Sequence, residues 1–134
     1  MYLSLLSTEQ KKLFLSLAYN LAAADGDFSD TERQVIKSYS MEMDMEIKME
    51  DFDTDMNRVL SNINSICSIR EKKIIVFEMI GLAMADHNYN CGEREIVRKA
   101  LSIFGLESNF GDYCVKKLTE YFNLQNDLNT YILS

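Results

Sequence analysis

A chain of 134 residues, 47% of them hydrophobic, has the size and the apolar content of one domain with one continuous core. Its net charge of -7 at pH 7 repels phosphate backbones, and no apolar run reaches the roughly 18 residues of a membrane-spanning helix. We therefore predict a single domain over residues 1–134 that binds no nucleic acid and does not insert into a membrane.

Cysteine and histidine usage narrows the possible functions further. The three cysteines have no short paired spacing, and the chain starts without the basic segment of a signal peptide, so we expect a cytoplasmic protein. His87 is the single histidine, and there is neither a Gly-rich phosphate loop nor a Gly-x-Ser-x-Gly elbow. Because the usual catalytic templates are missing, we predict that the protein is not an enzyme.

Helical spacing of apolar residues runs along the whole chain, and no proline interrupts it. The spacing predicts one helix around Phe14–Leu21 and another around Phe52–Ile63, each apolar on one face. Between Lys72 and Ala85 apolar residues occur almost all round, which is typical of a helix surrounded by other helices. We predict an all-α fold with this segment as its central helix.

The C-terminal third of the chain continues the helical pattern. An apolar stripe over Ile96–Phe104 is followed by Gly105, a residue type that commonly ends helices, and a further stripe covers Cys114–Phe122. We expect a short separate helix near Asp127–Leu133 at the end of the chain.

Capping boxes predict where helices begin. In such a box a Ser, Thr, Asp or Asn is followed three residues later by Glu or Gln, and the two side chains accept hydrogen bonds from free N–H groups at the helix start. The candidates are Ser7 with Gln10, Ser29 with Glu32, Ser68 with Glu71, and Asn90 with Glu93.

Two segments of the chain, about residues 13–41 and 74–104, match each other at an offset of 61 positions, the distance from Asp25 to Asp86 (86 − 25). The identical pairs are Leu21 and Leu82, Ala22 and Ala83, Ala24 and Ala85, Asp25 and Asp86, Glu32 and Glu93, and Arg33 and Arg94. Each copy has the pattern of a helix, an acidic turn and a second helix. We predict two helix-loop-helix hairpins packed as a pseudo-symmetric pair, because neither hairpin can bury its apolar faces alone.

The first turn carries oxygen-bearing side chains at a spacing that could surround a hard cation. Asp25, Asp27, Ser29 and Glu32 follow one another at offsets of two, two and three, which suits calcium or magnesium. The turn is not an EF-hand, because Gly26 stands second in it where that loop needs a glycine at its sixth position. Helix capping alone also accounts for these residues, since negative charge is favoured at a helix N-terminus, so both interpretations stay open.

Repetition strengthens the ion hypothesis. If the two turns converge, their carboxylates share a small volume, and like charges held together favour a bound cation or protons. The candidate metal ligands are Asp25, Asp27, Glu32, Asp86, Asn88 and Glu93.

The segment Leu21-Ala22-Ala23-Ala24-Asp25-Gly26-Asp27-Phe28-Ser29-Asp30-Thr31-Glu32 resembles the Ala-Asp-Gly…Glu signature of the tellurite-resistance TerB-like family. Residues 83–93 are similar to that family's matching half, and the resemblance covers about residues 8–106. It implies an all-helical fold with duplicated hairpins, acidic loops suspected of binding metal ions, and a sensor or adaptor role in a stress or tellurite response. The second copy departs from the signature, because His87 replaces the Gly and Asn88 the second Asp, so the two turns would not be equivalent ion sites.

Two other regions have alternative interpretations. Residues 41–55 are acidic and rich in methionine, which suits a solvated connector with adaptable packing. The alternatives are a patch for a basic partner or loosely held cations, and a soft metal ion at Met41, Met43, Met45 and Met49. We interpret the cysteines as small core residues, and a zinc site that joins His87 to Cys91 is the alternative.

The preferred hypothesis is a non-catalytic cytoplasmic module that binds a divalent cation at the paired loops and engages protein partners. One alternative is a helical adaptor without metal. The second is a metal-dependent hydrolase whose clustered carboxylates hold a metal-bound water.

Overall fold

The described part of the protein is mainly helical. The computed structural model describes residues 1–24, 30–46, 52–85 and 89–134, and for Thr31 and Glu32 it describes the backbone only. Within these ranges a 3-10 helix, Leu3–Leu5, precedes the α-helices, and there is no strand. The α-helices are α1 (Thr8–Ala22), α2 (Asp30–Glu42), α3 (Met56–Ile66), α4 (Ile69–Met84), α5 (Cys91–Ile103) and α6 (Ser108–Ile132). The prediction of an all-α fold is confirmed.

Capping boxes open three of the helices where the sequence predicts them. The boxes Ser7–Gln10, Ser68–Glu71 and Asn90–Glu93 begin α1, α4 and α5. At the start of α4, for example, the backbone N–H of Glu71 donates to Ser68 Oγ at 3.2 Å, and the backbone N–H of Ser68 donates to Glu71 Oε1 at 2.8 Å. The fourth predicted box, Ser29 with Glu32, lies outside the described residues.

Gly105 ends α5 as predicted. Its φ of +69° lies in the left-handed region that glycine adopts without strain. The N–H of Leu106 donates to the carbonyl of Leu101 at 2.9 Å, and the N–H of Gly105 donates to the carbonyl of Ser102 at 3.2 Å. This pair of bonds is a Schellman motif, which turns the chain sharply from α5 into α6.

The central position of α4 is confirmed. It packs against α1, α5, α6 and the 3-10 helix, while α3 packs against α1 and α5. Ile75, Met79 and Ile80 of α4 are 0% exposed. Burial of each such side chain stabilises the fold by roughly 1.5–3 kcal/mol.

The start of α3 differs from the sequence prediction. The apolar stripe suggests a helix from Phe52, but α3 begins at Met56, because Asp55 caps it by accepting a hydrogen bond from the N–H of Arg58 at 3.3 Å. The preceding residues lie along α1, where the N–H of Asp53 donates to Ser16 Oγ at 3.3 Å. The end of the acidic connector is therefore attached to the core.

The expected separate tail helix is wrong, since residues 127–133 continue α6, a single helix of 25 residues. No glycine or proline follows Gly111 in the chain, so nothing in the sequence interrupts the helix. Its first half buries Gly111, Cys114 and Leu118, and every side chain from residue 123 onwards is exposed. No described helix combines the length and the hydrophobicity needed to cross a bilayer.

The cysteine prediction is confirmed for two residues and wrong for the third. Cys67 and Cys114 are buried, and burial raises the pKa of each thiol to about 11, so both are protonated and unreactive at neutral pH. Cys91 is exposed, because it is the first residue of α5 and faces away from the core. Met43, just after α2, is 4% exposed and belongs to the core, whereas Met41 in the last turn of α2 is 74% exposed.

Helix bounds repeat at the offset found in the sequence. Adding 61 to the first residues of α1 and α2 (8 + 61 and 30 + 61) gives 69 and 91, the first residues of α4 and α5. The same sum carries the end of α2 (42 + 61) to residue 103, the end of α5. These bounds support the duplication, and the pseudo-symmetric packing of the two hairpins stays a prediction.

Candidate functional site

Most of the predicted metal ligands lie outside the described residues. Asp25, Asp27, Asp86 and Asn88 belong to this group, as does the side chain of Glu32. Glu93 is described in full, in the first turn of α5, where it is 5% exposed.

The cap geometry at the start of α5 fixes the position of Glu93. Its Oε1 accepts a hydrogen bond from the backbone N–H of Asn90 at 3.3 Å, and its own N–H donates to Asn90 Oδ1 at 2.9 Å. Tyr89, just before this cap, is held by Arg94, whose guanidinium lies 4.4 Å from the ring centroid and donates to the Tyr89 carbonyl at 3.0 Å. The exit of the second turn is therefore anchored to α5.

The end of α1 lies beside the start of α5. A Cβ atom placed on Gly92 would be 3.9 Å from the carbonyl oxygen of Ala24, and α1 packs against α5 elsewhere. Asp25 follows Ala24 in the chain, and Glu93 follows Gly92. Ala24 and Gly92, which directly precede the predicted ligands Asp25 and Glu93, are therefore close together in the fold.

A metal-ligand group cannot be assembled from the described side chains alone. Within residues 1–24, 30–46, 52–85 and 89–134, no three Asp, Glu, His or Cys side chains are placed to share an ion. The alternative zinc pair also includes His87, which lies outside those ranges.

A small cavity lies between the end of α4, Tyr89 and α6. It measures about 210 Å³ and is lined by Met84, Tyr89, Thr119, Phe122 and Asn123. Sites for small molecules usually measure about 300–1,000 Å³. Among the described residues of its lining there is no pair of nucleophile and general base of the kind that hydrolytic sites use.

A larger cavity between α4, α6 and the N-terminal residues was not predicted. We call it the basic groove. It measures about 500 Å³, and its apolar lining includes Leu5, Ile74 and the rings of Tyr2, Phe77, Phe110 and Tyr113. Among the described residues, its charged lining consists of Arg70, Lys73 and Lys117 and includes no carboxylate.

The two lysines of the basic groove lie over aromatic rings. Lys73 Nζ is 5.8 Å from the ring centroid of Phe110, and Lys117 Nζ is 5.8 Å from that of Tyr113. Lys117 also pairs with Glu120 at 3.3 Å. The residues of the groove are far apart in the sequence, so the sequence pattern did not predict it. Only two spacings are local: Arg70 and Lys73 are three positions apart and Tyr113 and Lys117 four, so each pair lies on one helix face.

A buried carboxylate on the central helix was also missed. Glu78 is 5% exposed and pairs with the amine of Met1 at 2.9 Å, while the N–H of Tyr2 donates to its Oε1 at 2.8 Å. Glu42 of α2 pairs with the same amine at 3.0 Å. This cluster joins the first residues of the chain to α2 and α4, next to the basic groove.

Comparison of the chain with protein-family models, with curated proteins and with solved structures finds no match. The resemblance of residues 21–32 and 83–93 to the TerB-like signature is therefore supported by the sequence motif alone.

Proposed function

We propose that this chain is a non-catalytic binding module that holds a divalent cation between the turns after α1 and α4 and engages a protein partner. The observation that carries the proposal is the approach of Ala24 to Gly92, with the Ala24 carbonyl oxygen 3.9 Å from a Cβ position on Gly92. Asp25 and Glu93 directly follow these residues, so the first turn begins where the acidic N-terminus of α5 begins.

The candidate ligands have the chemistry of a hard-cation site. Calcium takes six to eight oxygen ligands and magnesium six, and carboxylates and amide oxygens are their usual protein ligands. A carboxylate has about four lone-pair sites, so a side chain that caps a helix can in general also act as an ion ligand. Five carboxylates and one amide in the six candidate positions would repel one another without a cation or protons.

The TerB-like resemblance supports the same proposal from a different direction. It implies metal-suspected acidic loops on duplicated hairpins, and the matching bounds of α1–α2 and α4–α5 agree with such a duplication. A cytoplasmic stress or tellurite response follows from the resemblance alone.

Two observations favour a binding role over catalysis. The cavity near Met84 and Tyr89, at about 210 Å³, is smaller than common substrate sites, and the described residues of its lining contain no nucleophile-base pair. The basic groove, by contrast, offers aromatic rings and an arginine, residue types that are enriched at protein interfaces.

Thermal melting of the full chain with chelator, calcium, magnesium and manganese tests the ion. Binding to the native state stabilises it by about 2.7 kcal/mol at a hundred times Kd, and Asp25→Asn or Asp27→Asn should lose that gain. Asp127→Asn, a matched loss of charge on the exposed end of α6, should keep it.

A wild-type melting temperature unmoved by millimolar cations would leave the metal-free adaptor as the function. That second candidate is favoured by the capping box of Glu93, because helix capping by itself explains a carboxylate at this position.

A further inference from the structure

We propose that the basic groove binds an acidic amphipathic helix of a partner protein. The inference names the partner class of the binding module and so rests on the function proposed above. It stands on three features of the groove: its open shape, its cations and its aromatic walls.

The groove is shallow. Ile74 and Cys114 form a buried floor at 9% and 1% exposure, while Leu5 and Tyr113 on the rim are both 57% exposed. Sites for small molecules enclose most of the ligand surface, and this rim leaves a ligand open to water on one side. A helix that inserts only its apolar face fits such a groove.

Charge decides which helix fits. Arg70 and Lys73 lie one turn apart on α4, and neither is within salt-bridge distance of a carboxylate in the described part of the chain. Lys117 faces them from α6, and its exposed pair with Glu120 is of a kind that contributes little and can exchange partners. Asp or Glu side chains beside the apolar face of a bound helix would pair with these cations.

Net charge argues against two other occupants. A second copy of this chain also carries a charge of -7, and an anionic lipid surface is negative throughout, so both are repelled at long range. A partner helix needs negative charge only within about 8 Å of the groove, the Debye length at physiological salt, because charges farther away are largely screened.

The aromatic walls supply the apolar part of the contact. Phe77 and Phe110 are partly buried, and Tyr2 and Tyr113 extend over the edge of the groove at 46% and 57% exposure. Leu, Met or Phe at positions i, i+3, i+4 and i+7 of the partner would pack between these rings. Tyrosine and arginine are enriched among the residues that dominate binding at protein interfaces.

Selection from a displayed library of single amphipathic helices against the full chain tests the proposal. The enriched helices should carry Asp or Glu beside the apolar stripe. Lys73→Glu should weaken their binding by roughly tenfold or more, because it places like charges together. Lys116→Glu makes the same charge change on α6 outside the groove lining. The Kd of this variant for the enriched helices should stay within about twofold of the wild-type value.

Several results would overturn the groove as the binding site. They are a selection without enriched helices, enriched helices without acidic bias, and equal loss of binding by the two lysine variants. If the chain sedimented with vesicles of phosphatidylglycerol and phosphatidylcholine and Lys73→Glu abolished this, the groove would be a membrane-binding site instead. If the chain associated with itself and Lys73→Glu abolished that, the groove would bind a second copy instead.

The two proposals can fail separately. Melting with cations uses no peptide, so it reports on the turns alone. Peptides that bind the Lys73→Glu variant as tightly as wild type would leave the chain a binding module and exclude the groove.

Discussion

The carboxylate of Glu78, in the middle of the central helix, lies 2.9 Å from the amine of Met1. An unpaired carboxylate would be costly at this depth, where Glu78 is 5% exposed, so the amine stabilises a charge that the apolar surroundings disfavour. The hydroxyl of Tyr39 donates to the Glu78 carbonyl at 3.3 Å, which adds α2 to the same cluster.

This pair predicts a loss of stability in mild alkali. Burial lowers the pKa of the Met1 amine, but hydrogen bonds and charges from Glu78 and Glu42 together raise it above its usual 8.0. A raised pKa in the folded state stabilises the protein below pH 8.0, and this contribution is lost as pH rises through the folded value. The melting temperature of the protein should therefore fall as the pH is raised from 7 to 9.

Glu78→Gln should flatten that pH dependence, since the amide cannot hold the charged amine. Glu95→Gln is the matched control, because its exposed carboxylate pairs with Arg98 and not with the amine. If Glu78→Gln and wild type kept the same slope with pH, the alkaline loss would belong to another group.

A second prediction concerns the repeated helix starts. Ser68→Ala should destabilise the protein by about 1 kcal/mol, because the N–H of Glu71 loses its acceptor. Since Ser29 and Asn90 stand at the equivalent capping positions of the two copies, Ser29→Ala and Asn90→Ala should each cost about the same.

Urea denaturation of the three variants measures these costs. Ser65→Ala is the control, because its hydroxyl only donates to the Ser61 carbonyl within α3, and it should change stability by less than about 0.5 kcal/mol. A Ser29→Ala variant as stable as wild type would argue against equivalent caps in the two copies.

These helix starts show which parts of the fold can be predicted from the sequence. A capping box or the Gly105 stop needs only residues within one turn, so local spacing was enough to predict them. The length of α6 was not predictable from its apolar stripe, because the buried stripe ends after Phe122 while the helix continues to Ile132.

Other features depend on contacts between distant residues. Glu78 lies within an apolar segment, and its burial makes sense only with the Met1 amine 77 positions away (78 − 1), as the pairing shows. The basic groove likewise combines residues near positions 2, 70 and 117. Of the predicted ion ligands, the sequence identified Glu93 as a helix cap correctly, while its role as a ligand stays a prediction.

A third prediction follows from the pair between Arg58 and Asp53. The guanidinium donates two hydrogen bonds to the carboxylate, at 2.6 and 2.8 Å. The bond from Arg58, with a further bond from the Asp55 N–H, lowers the pKa of Asp53 to about 2. This contribution to stability is present above the usual value of 3.8 and is lost as pH falls through about 2.

Arg58→Gln should raise the pKa of Asp53 toward 3.8, because the first and largest cause of the shift is removed. NMR titration of the Asp53 carboxyl carbon measures the change. Arg70→Gln, which lies on α4, should leave it unaltered, and a low pKa that survives in Arg58→Gln would assign the shift to the backbone bond.

The last prediction concerns the close approach of α5 and α6 at Gly111. A Cβ atom there would lie 2.8 Å from Leu101 Cδ1, so Gly111→Ala must displace the end of a packed side chain. Alanine in a helix is favoured over glycine by about 1 kcal/mol, and crowding in a packed core costs about 1–3 kcal/mol, so the single variant should be neutral or destabilised. Leu101→Ala removes the crowding atom at a cost of about 2–5 kcal/mol, and in that background Gly111→Ala should stabilise the protein by about 1 kcal/mol. Urea denaturation of wild type, both single variants and the double variant gives the coupling energy. Equal effects of Gly111→Ala in the two backgrounds would show that Leu101 does not limit how closely α6 approaches α5.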